Sequence, residues 1–207
     1  FFIVSANLIG GAAGYLAEYQ GRRLFLRELQ LEEERQLHLD RSLHDRLTGL
    51  PNRELLDDRI NQALALARRD SALHAGFFVD LDGFKDVNDQ LGHDRGDIAL
   101  REVARRLALS MRETDTVSRL GGDEFFLLVH DIGSCDSAAH LAEKLISLIE
   151  QPVPGLPDDQ ALSASIGICL FPCDGVPATP EAIIRCADLA MYQAKAEGKR
   201  RFCFAGD

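Results

Sequence analysis

The sequence predicts an α/β or α+β sandwich, in which helices cover a sheet of about five strands. Short apolar runs typical of strands alternate along the chain with longer segments whose apolar residues recur at helical spacing. The composition favours a folded protein, because 46% of the 207 residues are apolar and 27% are charged. This length fits one domain with an appendage, or two very small domains.

The first 20 residues are predicted to be the tail of a membrane helix. Phe1–Leu16 contains no charge, and Arg22, Arg23 and Arg27 follow in the positive-inside arrangement. The run is shorter than the roughly 20 residues that span a bilayer, and the chain opens without Met. We therefore expect a piece of a longer protein, whose main domain is cytoplasmic and attached to the inner or cell membrane. A buried helix, or a segment that packs against a partner, is the alternative.

Residues 21–44 are predicted to form a helical linker. Glu32 and Gln36 interrupt an otherwise apolar face, which is made of Phe25, Leu29, Leu39 and Leu43. The pattern fits a short parallel dimer stalk and, equally, a solvated connecting helix.

The main domain is predicted to span 45–207, because Gly49, Pro51 and Asn52 break or cap helices near its start. An apolar stripe predicts a helix over Arg53–Arg69, and an apolar run predicts a buried strand over Ala75–Leu81. A hairpin over Val117–Val129 turns at Gly121-Gly122. The same alternation predicts helices at Gly96–Ser110, Asp136–Gln151 and Pro180–Ala196, and strands at Ala161–Leu170 and Arg201–Phe204.

The net charge and the cysteines argue against two classes of protein. With 23 basic and 33 acidic residues the net charge is −10, which disfavours the non-specific nucleic-acid binding of basic surfaces. The negative net charge is still compatible with binding a small anionic ligand, since a metal ion or nearby lysines can neutralise its phosphates. The five cysteines form no CxxC pair, which indicates reduced thiols instead of a disulfide framework or a zinc site.

Two acids follow the apolar run that begins at Ala75. Asp80 and Asp82 lie two residues apart, so a regular strand points them to one face. Carboxylates at the end of a buried strand favour a hard cation such as Mg²⁺, which prefers oxygen ligands and often retains substrate phosphates as further ligands. The alternative is that the strand ends at Val79 and that both acids are solvated.

A second acidic pair follows two glycines. Gly121 and Gly122 permit positive φ and a close approach of a ligand to the backbone, and Asp123 and Glu124 begin the outgoing strand. If this strand neighbours the strand of Asp80, the acids meet and provide the two-metal clamp used in phosphoryl transfer. An ordinary hairpin with solvent-facing acids is the alternative.

These motifs resemble the GGDEF domain of the diguanylate cyclase family. Gly121-Gly-Asp-Glu-Phe125 matches the family signature, and four other segments match in the same order. They are Asp45-x-Leu-Thr-Gly-Leu-Pro-Asn-Arg53; Asp80-Leu-Asp-Gly-Phe-Lys-Asp-Val-Asn88-Asp with Gly92-His93 and Gly96-Asp97; Ser165-Ile-Gly167; and Tyr192-Gln-Ala-Lys195-Ala-Glu-Gly198-Lys199. The resemblance covers residues 40–205 and leaves 1–39 outside.

The resemblance implies a fold similar to the nucleotidyl cyclase and polymerase palm. It also implies an enzyme that joins two GTP into cyclic di-GMP and releases two pyrophosphates. Each protomer of a homodimer is expected to hold one GTP with two Mg²⁺ or Mn²⁺ ions in a half-site. Two half-sites then face each other, so that each 3′-hydroxyl attacks the partner's α-phosphate.

The resemblance carries roles to residues by position. It implies metal ligands at the side chains of Asp80 and Asp123 and at the Leu81 carbonyl, with Glu124 aiding the metal or the deprotonation of the 3′-hydroxyl. The residues implied to contact GTP are Phe84, Lys85, Asn88, Asp97, the backbone of Gly121 and Gly122, Lys195 and Lys199. The ring of Phe84 is equally typical of a core residue. Lys199-Arg200 stands where the family often has Arg-Asn, which keeps the charge but loses bidentate phosphate geometry.

Asn88 and Asp97 suit the recognition of guanine. A carboxylate accepts hydrogen bonds from the guanine N1–H and N2–H groups, and an amide NH₂ serves the O6 and N7 acceptors. Adenine places an acceptor where the carboxylate lies, and an unpaired buried polar group is costly. The alternative for Asp97 is an N-cap, because it immediately precedes a predicted helical stripe.

Arg112-Glu-Thr-Asp115 resembles the RxxD site at which many family members bind cyclic di-GMP as an inhibitor. Arg112 suits the Hoogsteen edge of guanine and the phosphates, and Asp115 suits N1–H and N2–H. The family often adds an Arg from a neighbouring helix, for which Asp136–Gln151 offers only Lys144. A surface ion pair is the alternative.

Two other functions compete with a cyclase. A non-catalytic module would bind GTP or cyclic di-GMP and signal by association, but it would not require the acids at Asp80, Asp123 and Glu124. A nucleic-acid polymerase palm is disfavoured by the acidic charge and the small size.

Overall fold

A computed structural model describes residues 22–23, 27, 42–70, 72–157, 160–172 and 179–206. The predicted membrane-helix tail at 1–20 lies outside these residues. Of the predicted linker at 21–44, the described residues Arg22, Arg23, Arg27, Ser42 and Leu43 are helical. No helix within the described ranges is long and apolar enough to cross a bilayer.

Five strands form one mixed sheet. They are β1 (His74–Asp82), β2 (Thr116–Gly121), β3 (Glu124–Val129), β4 (Ser163–Phe171) and β5 (Phe202–Phe204). Their order across the sheet is β2-β3-β1-β4-β5, and only the β4–β5 pair is parallel. The predicted five-stranded sheet is confirmed, and β1 lies at its centre.

Helices cover both faces of this sheet. They are α1 (Arg53–Asp70), α2 (Phe84–Leu91), α3 (His93–Ser110), α4 (Cys135–Ile149) and α5 (Pro180–Ala196). Alternate residues of β1 separate the two layers: Phe77 and Val79 join the core formed with α2, α3 and α4, whereas Phe78 joins the core formed with α1 and α5. Burying one such side chain contributes about 1.5–3 kcal/mol, so the apolar strand is held from both sides.

The sequence did not predict α2, and it placed the start of α3 too late. Only Phe84 and Val87 of the eight residues in α2 are buried, which is too few for a helical period to be visible. Gly83 and Gly92 bound this helix with φ values of 85° and 86°. The next helix begins directly after Gly92, and Gly96 lies inside it instead of before it.

Candidate active site

The two acidic segments meet in the sheet. β1 and β3 are neighbours, and Asp80 lies opposite Glu124 in their antiparallel register. The Leu81 amide donates a hydrogen bond to the Asp123 carbonyl over 3.3 Å, so the pairing continues past these acids into the turn. The prediction that the acidic strand ends are adjacent is confirmed, and an ordinary solvent-facing hairpin is excluded because both Asp123 and Glu124 are half-buried.

Asp80 and Asp82 are buried, although both carry carboxylates. β1 extends through Asp82, and the two residues are 7% and 8% exposed, so the alternative of two solvated acids is wrong. Lys195 on α5 pairs with Asp80, with Nζ 2.7 Å from Oδ1. Asp82 has different partners, since the Ser165 hydroxyl and the Arg200 amide both donate to it.

The acids at this site raise one another's pKa. Burial raises the pKa of Asp80, and the charges of Asp123 and Asp82 raise it further, while Lys195 acts in the opposite direction. Burial likewise raises the pKa of Glu124, and the charges of Asp80, Asp123 and Asp188 add to the effect. The site therefore holds more negative charge than its environment stabilises, which is the electrostatic condition that favours binding a cation.

The donor set fits a hard divalent cation. Asp80, Asp123 and Glu124 carry carboxylates and Leu81 has a backbone carbonyl, and these are the kinds of oxygen group that Mg²⁺ prefers. Within the described ranges, no three acidic, histidine or cysteine side chains converge into a group that could hold a metal ion. The Lys195 ammonium pairs with Asp80, so a cation bound at that carboxylate would compete with it.

A cleft of about 180 Å³ opens beside these acids. Three acids (Asp80, Asp82 and Asp123) and three lysines (Lys85, Lys195 and Lys199) line it, together with Leu81 and Gly83. The structure thus brings together the three lysines that were predicted to neutralise a triphosphate. The hairpin backbone is also open, since a Cβ built at Gly121 or Gly122 would meet no heavy atom within 4 Å, and Gly122 adopts a φ of 54° that suits glycine.

Asn88 and Asp97 lie on adjacent helices, α2 and α3. A Cβ at Gly96 would overlap the Asn88 Oδ1 atom, so glycine at this position lets the amide lie against α3, one residue from Asp97. The N-cap alternative for Asp97 is wrong, because α3 begins at His93 with Gly92 as its cap. Asp97 is half-buried, and its carboxylate is 3.8 Å from Arg101, so the roles of both residues towards guanine stay predictions.

Phe84 lies in the core instead of at an open surface. Its residue exposure is 8%, and its ring belongs to the apolar layer beneath α2 and α3. The core interpretation of this ring is the one the structure supports, and a contact of Phe84 with GTP stays a prediction.

Arg112 and Asp115 line a separate cavity of about 720 Å³. The Asp115 carboxylate accepts hydrogen bonds from the Arg112 amide at 3.1 Å and the His130 amide at 3.0 Å. The Arg112 contact uses the backbone amide, so the described contact is not the guanidinium–carboxylate ion pair of the alternative. Helix α1 lines this cavity and contributes Arg59, whereas α4, which offers only Lys144, contributes no residue to its lining.

A family model described as the diguanylate cyclase, GGDEF domain matches residues 42–201. The chain belongs to this family. The match begins one residue before Leu43, where the compact unit that carries the sheet begins. The GGDEF signature is therefore part of a family match that spans residues 42–201, and the resemblance predicted from five motifs is confirmed.

Relatives of known name agree with this assignment. The chain is 51% identical over 163 residues to MucR of Pseudomonas aeruginosa, a bifunctional diguanylate cyclase/cyclic di-GMP phosphodiesterase, covering 79% of this chain and 23% of MucR. It is 39% identical over 184 residues to the diguanylate cyclase TpbB of the same species, covering 87% of this chain and 42% of TpbB. The chain thus spans less than half the length of these curated relatives.

Solved GGDEF domains share the fold. That of TpbB has a TM-score of 0.72 at 38% identity and covers 78% of this chain and 94% of its own. That of DgcB from Caulobacter crescentus, solved with cyclic di-GMP, has a TM-score of 0.72 at 26% identity and covers 80% of this chain and 94% of its own. These similarities confirm the predicted palm-like cyclase fold.

Several residues beside the GGDEF site received no role from the sequence. The sequence did not identify Arg119, because a single arginine on a half-buried strand matches no functional motif. Asp45 and Ser165 belong to matched motifs, but their partners, Arg119 and Asp82, are 74 and 83 residues away in sequence. Only the folded sheet brings such pairs together.

Proposed function

We propose that this chain is a diguanylate cyclase that condenses two GTP into cyclic di-GMP and releases two pyrophosphates. The observation that carries the proposal is the strand register that sets Glu124 opposite Asp80, which lines a cleft together with Asp123 and three lysines. Buried carboxylates that raise one another's pKa destabilise the fold, but they are suited to holding the cations used in phosphoryl transfer.

The residues of the cleft divide the chemical work. Lys85, Lys195 and Lys199 neutralise the triphosphate, which the net acidity of the chain cannot do. Glu124 accepts the proton of the 3′-hydroxyl, or helps to hold the metal ion, which would lower the pKa of that hydroxyl. Its pKa is raised first by burial and then by neighbouring charges, which moves the carboxylate towards the range in which a general base is effective.

Asp80, Asp123, the Leu81 carbonyl and Glu124 would hold Mg²⁺ or Mn²⁺, two ions for each half-site. When bound, the metal supplies positive charge to the phosphate oxygens. Asn88 and Asp97 select guanine. One cleft accommodates one nucleotide, so a homodimer brings two half-sites face to face, and positioning then provides much of the rate.

Regulation and location complete the proposal. Cyclic di-GMP inhibits by binding in the cavity of Arg112 and Asp115, where Arg59 offers a second guanidinium. A DgcB structure solved with cyclic di-GMP supports a binding role for the fold. The apolar residues 1–20 attach the full-length protein to a membrane, and the GGDEF domain lies on the cytoplasmic side.

A non-catalytic binding module is the second candidate. It is favoured by one relative, 36% identical over 161 residues, that is named a cyclic di-GMP phosphodiesterase instead of a cyclase. The two candidates separate when the chain is incubated with isotope-labelled GTP and Mg²⁺ and the products are resolved by chromatography. We expect labelled cyclic di-GMP from the wild type and none from Glu124→Gln, with both proteins binding GTP. Binding of GTP by both without any product would favour the module.

A further inference from the structure

A buried polar network centred on Asp82, which lines the cleft, has no assigned role in the proposed reaction. The Ser165 hydroxyl, which is fully buried, lies 3.1 and 2.9 Å from the two carboxylate oxygens of Asp82 and donates to them. The Arg200 amide donates to Oδ2 of the same carboxylate over 3.2 Å. Asp82 and Ser165 both belong to segments that match the GGDEF family, yet the chemistry of the site assigns neither a role.

The network holds a turn in an unfavourable backbone conformation. Lys199 and Arg200 adopt φ values of 63° and 54°, in the left-handed region that side chains other than glycine rarely occupy. Two features besides the carboxylate fix the turn: the Lys199 amide donates to the Ala194 carbonyl over 3.1 Å, and the Arg200 guanidinium pairs with Glu150 at 2.9 Å. The conformation persists because several contacts determine it together.

Gly167, in the same segment as Ser165, determines how closely α5 packs on β4. A Cβ at Gly167 would overlap the Ala187 carbonyl oxygen and the Met191 amide nitrogen. Glycine therefore allows α5 to pack directly on β4. That contact sets the height of α5 above the sheet, and α5 leads straight into the turn that carries Lys199.

We propose that Asp82 and Ser165 are positioning residues that hold the Lys199–Arg200 turn and thereby place Lys199 against the triphosphate. This inference rests on the proposed function. In this inference, the Asp82 carboxylate supports binding of the triphosphate indirectly, by holding the turn that carries Lys199. It is not a metal ligand. Both carboxylate oxygens of Asp82 already accept hydrogen bonds from the protein, whereas the described partner of the Asp80 carboxylate is the Lys195 ammonium, a cation that another cation could replace.

The test compares two non-reacting probes by calorimetry at fixed Mg²⁺. The first probe is α,β-methylene GTP, which cannot release pyrophosphate, and the second is GMP, which lacks the outer phosphates. We expect Ser165→Ala to bind the methylene analogue about fivefold more weakly, the effect of losing one ordinary hydrogen bond, and to bind GMP as the wild type does. Ser118→Ala is the matched control, because Ser118 is a fully buried serine of the same sheet whose hydroxyl has no hydrogen-bond partner among the described residues.

The same substitution in a Lys199→Ala variant tests whether Ser165 acts through Lys199. In Lys199→Ala, Ser165→Ala should cause no further loss of affinity for the analogue, because the residue through which it acts is gone. Asp82→Asn, which retains one acceptor oxygen, should give a smaller loss with the same dependence on Lys199, and it provides the test should Ser165→Ala not fold.

Three results would overturn the inference. Equal losses for the analogue and GMP would reduce Ser165 to a structural residue. An Asp82→Asn variant that needs more Mg²⁺ but keeps its analogue affinity at saturating Mg²⁺ would make Asp82 a metal ligand. A wild type that binds neither probe would refute the proposed function itself, and the inference with it.

Discussion

Arg119 joins Asp45, at the beginning of the GGDEF domain, to Gly122 at the tip of the β2–β3 hairpin. Its Nη1 lies 2.9 Å from the Asp45 carboxylate, and its Nε and Nη2 donate to the Gly122 carbonyl over 3.1 and 2.7 Å. Burial opposes ionisation of Asp45, but hydrogen bonds from Thr48 and Arg119 outweigh it and lower the pKa of the carboxyl. The turn that follows residues 21–44 is therefore tied directly to the backbone that precedes Asp123.

Breaking this link should loosen the hairpin. Arg119→Ala is expected to lower the free energy of unfolding by about 1–3 kcal/mol, since the side chain of Arg119 is 10% exposed and its hydrogen bonds include a charged partner. Turnover should fall as well, because the Gly122 carbonyl loses both donors. Denaturant unfolding and product formation measure the two effects.

Arg201→Ala provides the control for this variant. Its ion pair with Glu197 is exposed at both ends, so its removal should leave the free energy of unfolding close to that of the wild type. An Arg119→Ala variant with the stability and turnover of the wild type would show that the link has no role.

Asp97→Asn should weaken the preference for GTP over ATP by about 1–3 kcal/mol, the size of one base-reading contact. The structure sharpens this test, because Asp97 lies inside α3 and does not cap it. The melting temperature should therefore stay close to that of the wild type. Competition binding of α,β-methylene GTP and its adenine counterpart measures the preference.

Arg101→Ala is the matched control for base selection. It removes the 3.8 Å ion pair of Asp97 without removing the carboxylate. Equal weakening of both nucleotides by Asp97→Asn would argue against base reading.

Glu102 should stabilise the domain in a pH-dependent manner. Hydrogen bonds from Arg105 and Arg106 lower its pKa from 4.5 to about 2, against the effect of burial. Because the folded value is the lower one, the stabilisation is complete above pH 4.5 and is lost as the pH falls towards 2. Glu102→Gln should therefore cost about 1–3 kcal/mol at pH 7 and progressively less in acid.

Denaturant unfolding of the wild type and Glu102→Gln at pH 7 and pH 3 tests this prediction. Glu197→Gln, an exposed glutamate with an arginine partner, serves as the control. A difference that stays constant across the two pH values would show that packing, and not the charge of Glu102, is responsible.

Arg112→Ala should abolish inhibition by cyclic di-GMP and keep basal activity, because the cavity it lines is separate from the catalytic cleft. Arg59→Ala should weaken inhibition partially, since its guanidinium is the contribution of α1 to the same cavity. Product titration against initial rate gives the inhibition constants. An Arg112→Ala enzyme as sensitive to product as the wild type would reduce Arg112 and Asp115 to a surface feature.

The sequence predicted the sheet well because alternation and turn chemistry are local. Ala75–Leu81 and the Gly121-Gly122 hairpin lie within one or two residues of β1, β2 and β3. It missed α2, in which two buried residues are too few to reveal a period, and it placed the start of α3 too late because Gly96 suggested a helix start. In the fold Gly96 instead makes room for Asn88, a contact between two helices that a local pattern cannot express.

The candidate site divides in the same way. Asp80, Asp123 and Glu124 were found because acids at a buried strand end and beside a double glycine are chemically unusual. Asp82 was grouped with Asp80 by its spacing, but its carboxylate accepts hydrogen bonds from Ser165 and the Arg200 amide, both remote in sequence. The contribution of Arg59 was missed because helix adjacency at the Arg112 cavity depends on how the layers pack.

The ratio of pyrophosphate to cyclic di-GMP tests the account most directly. The purified chain is incubated with GTP and Mg²⁺, and both products are quantified from the same reaction, with Asp123→Asn as the inactive control. We predict two pyrophosphates for each cyclic di-GMP and neither product from the variant. Cyclic di-GMP formation by Asp123→Asn at the wild-type rate, or one pyrophosphate released with a linear dinucleotide as the final product, would contradict it.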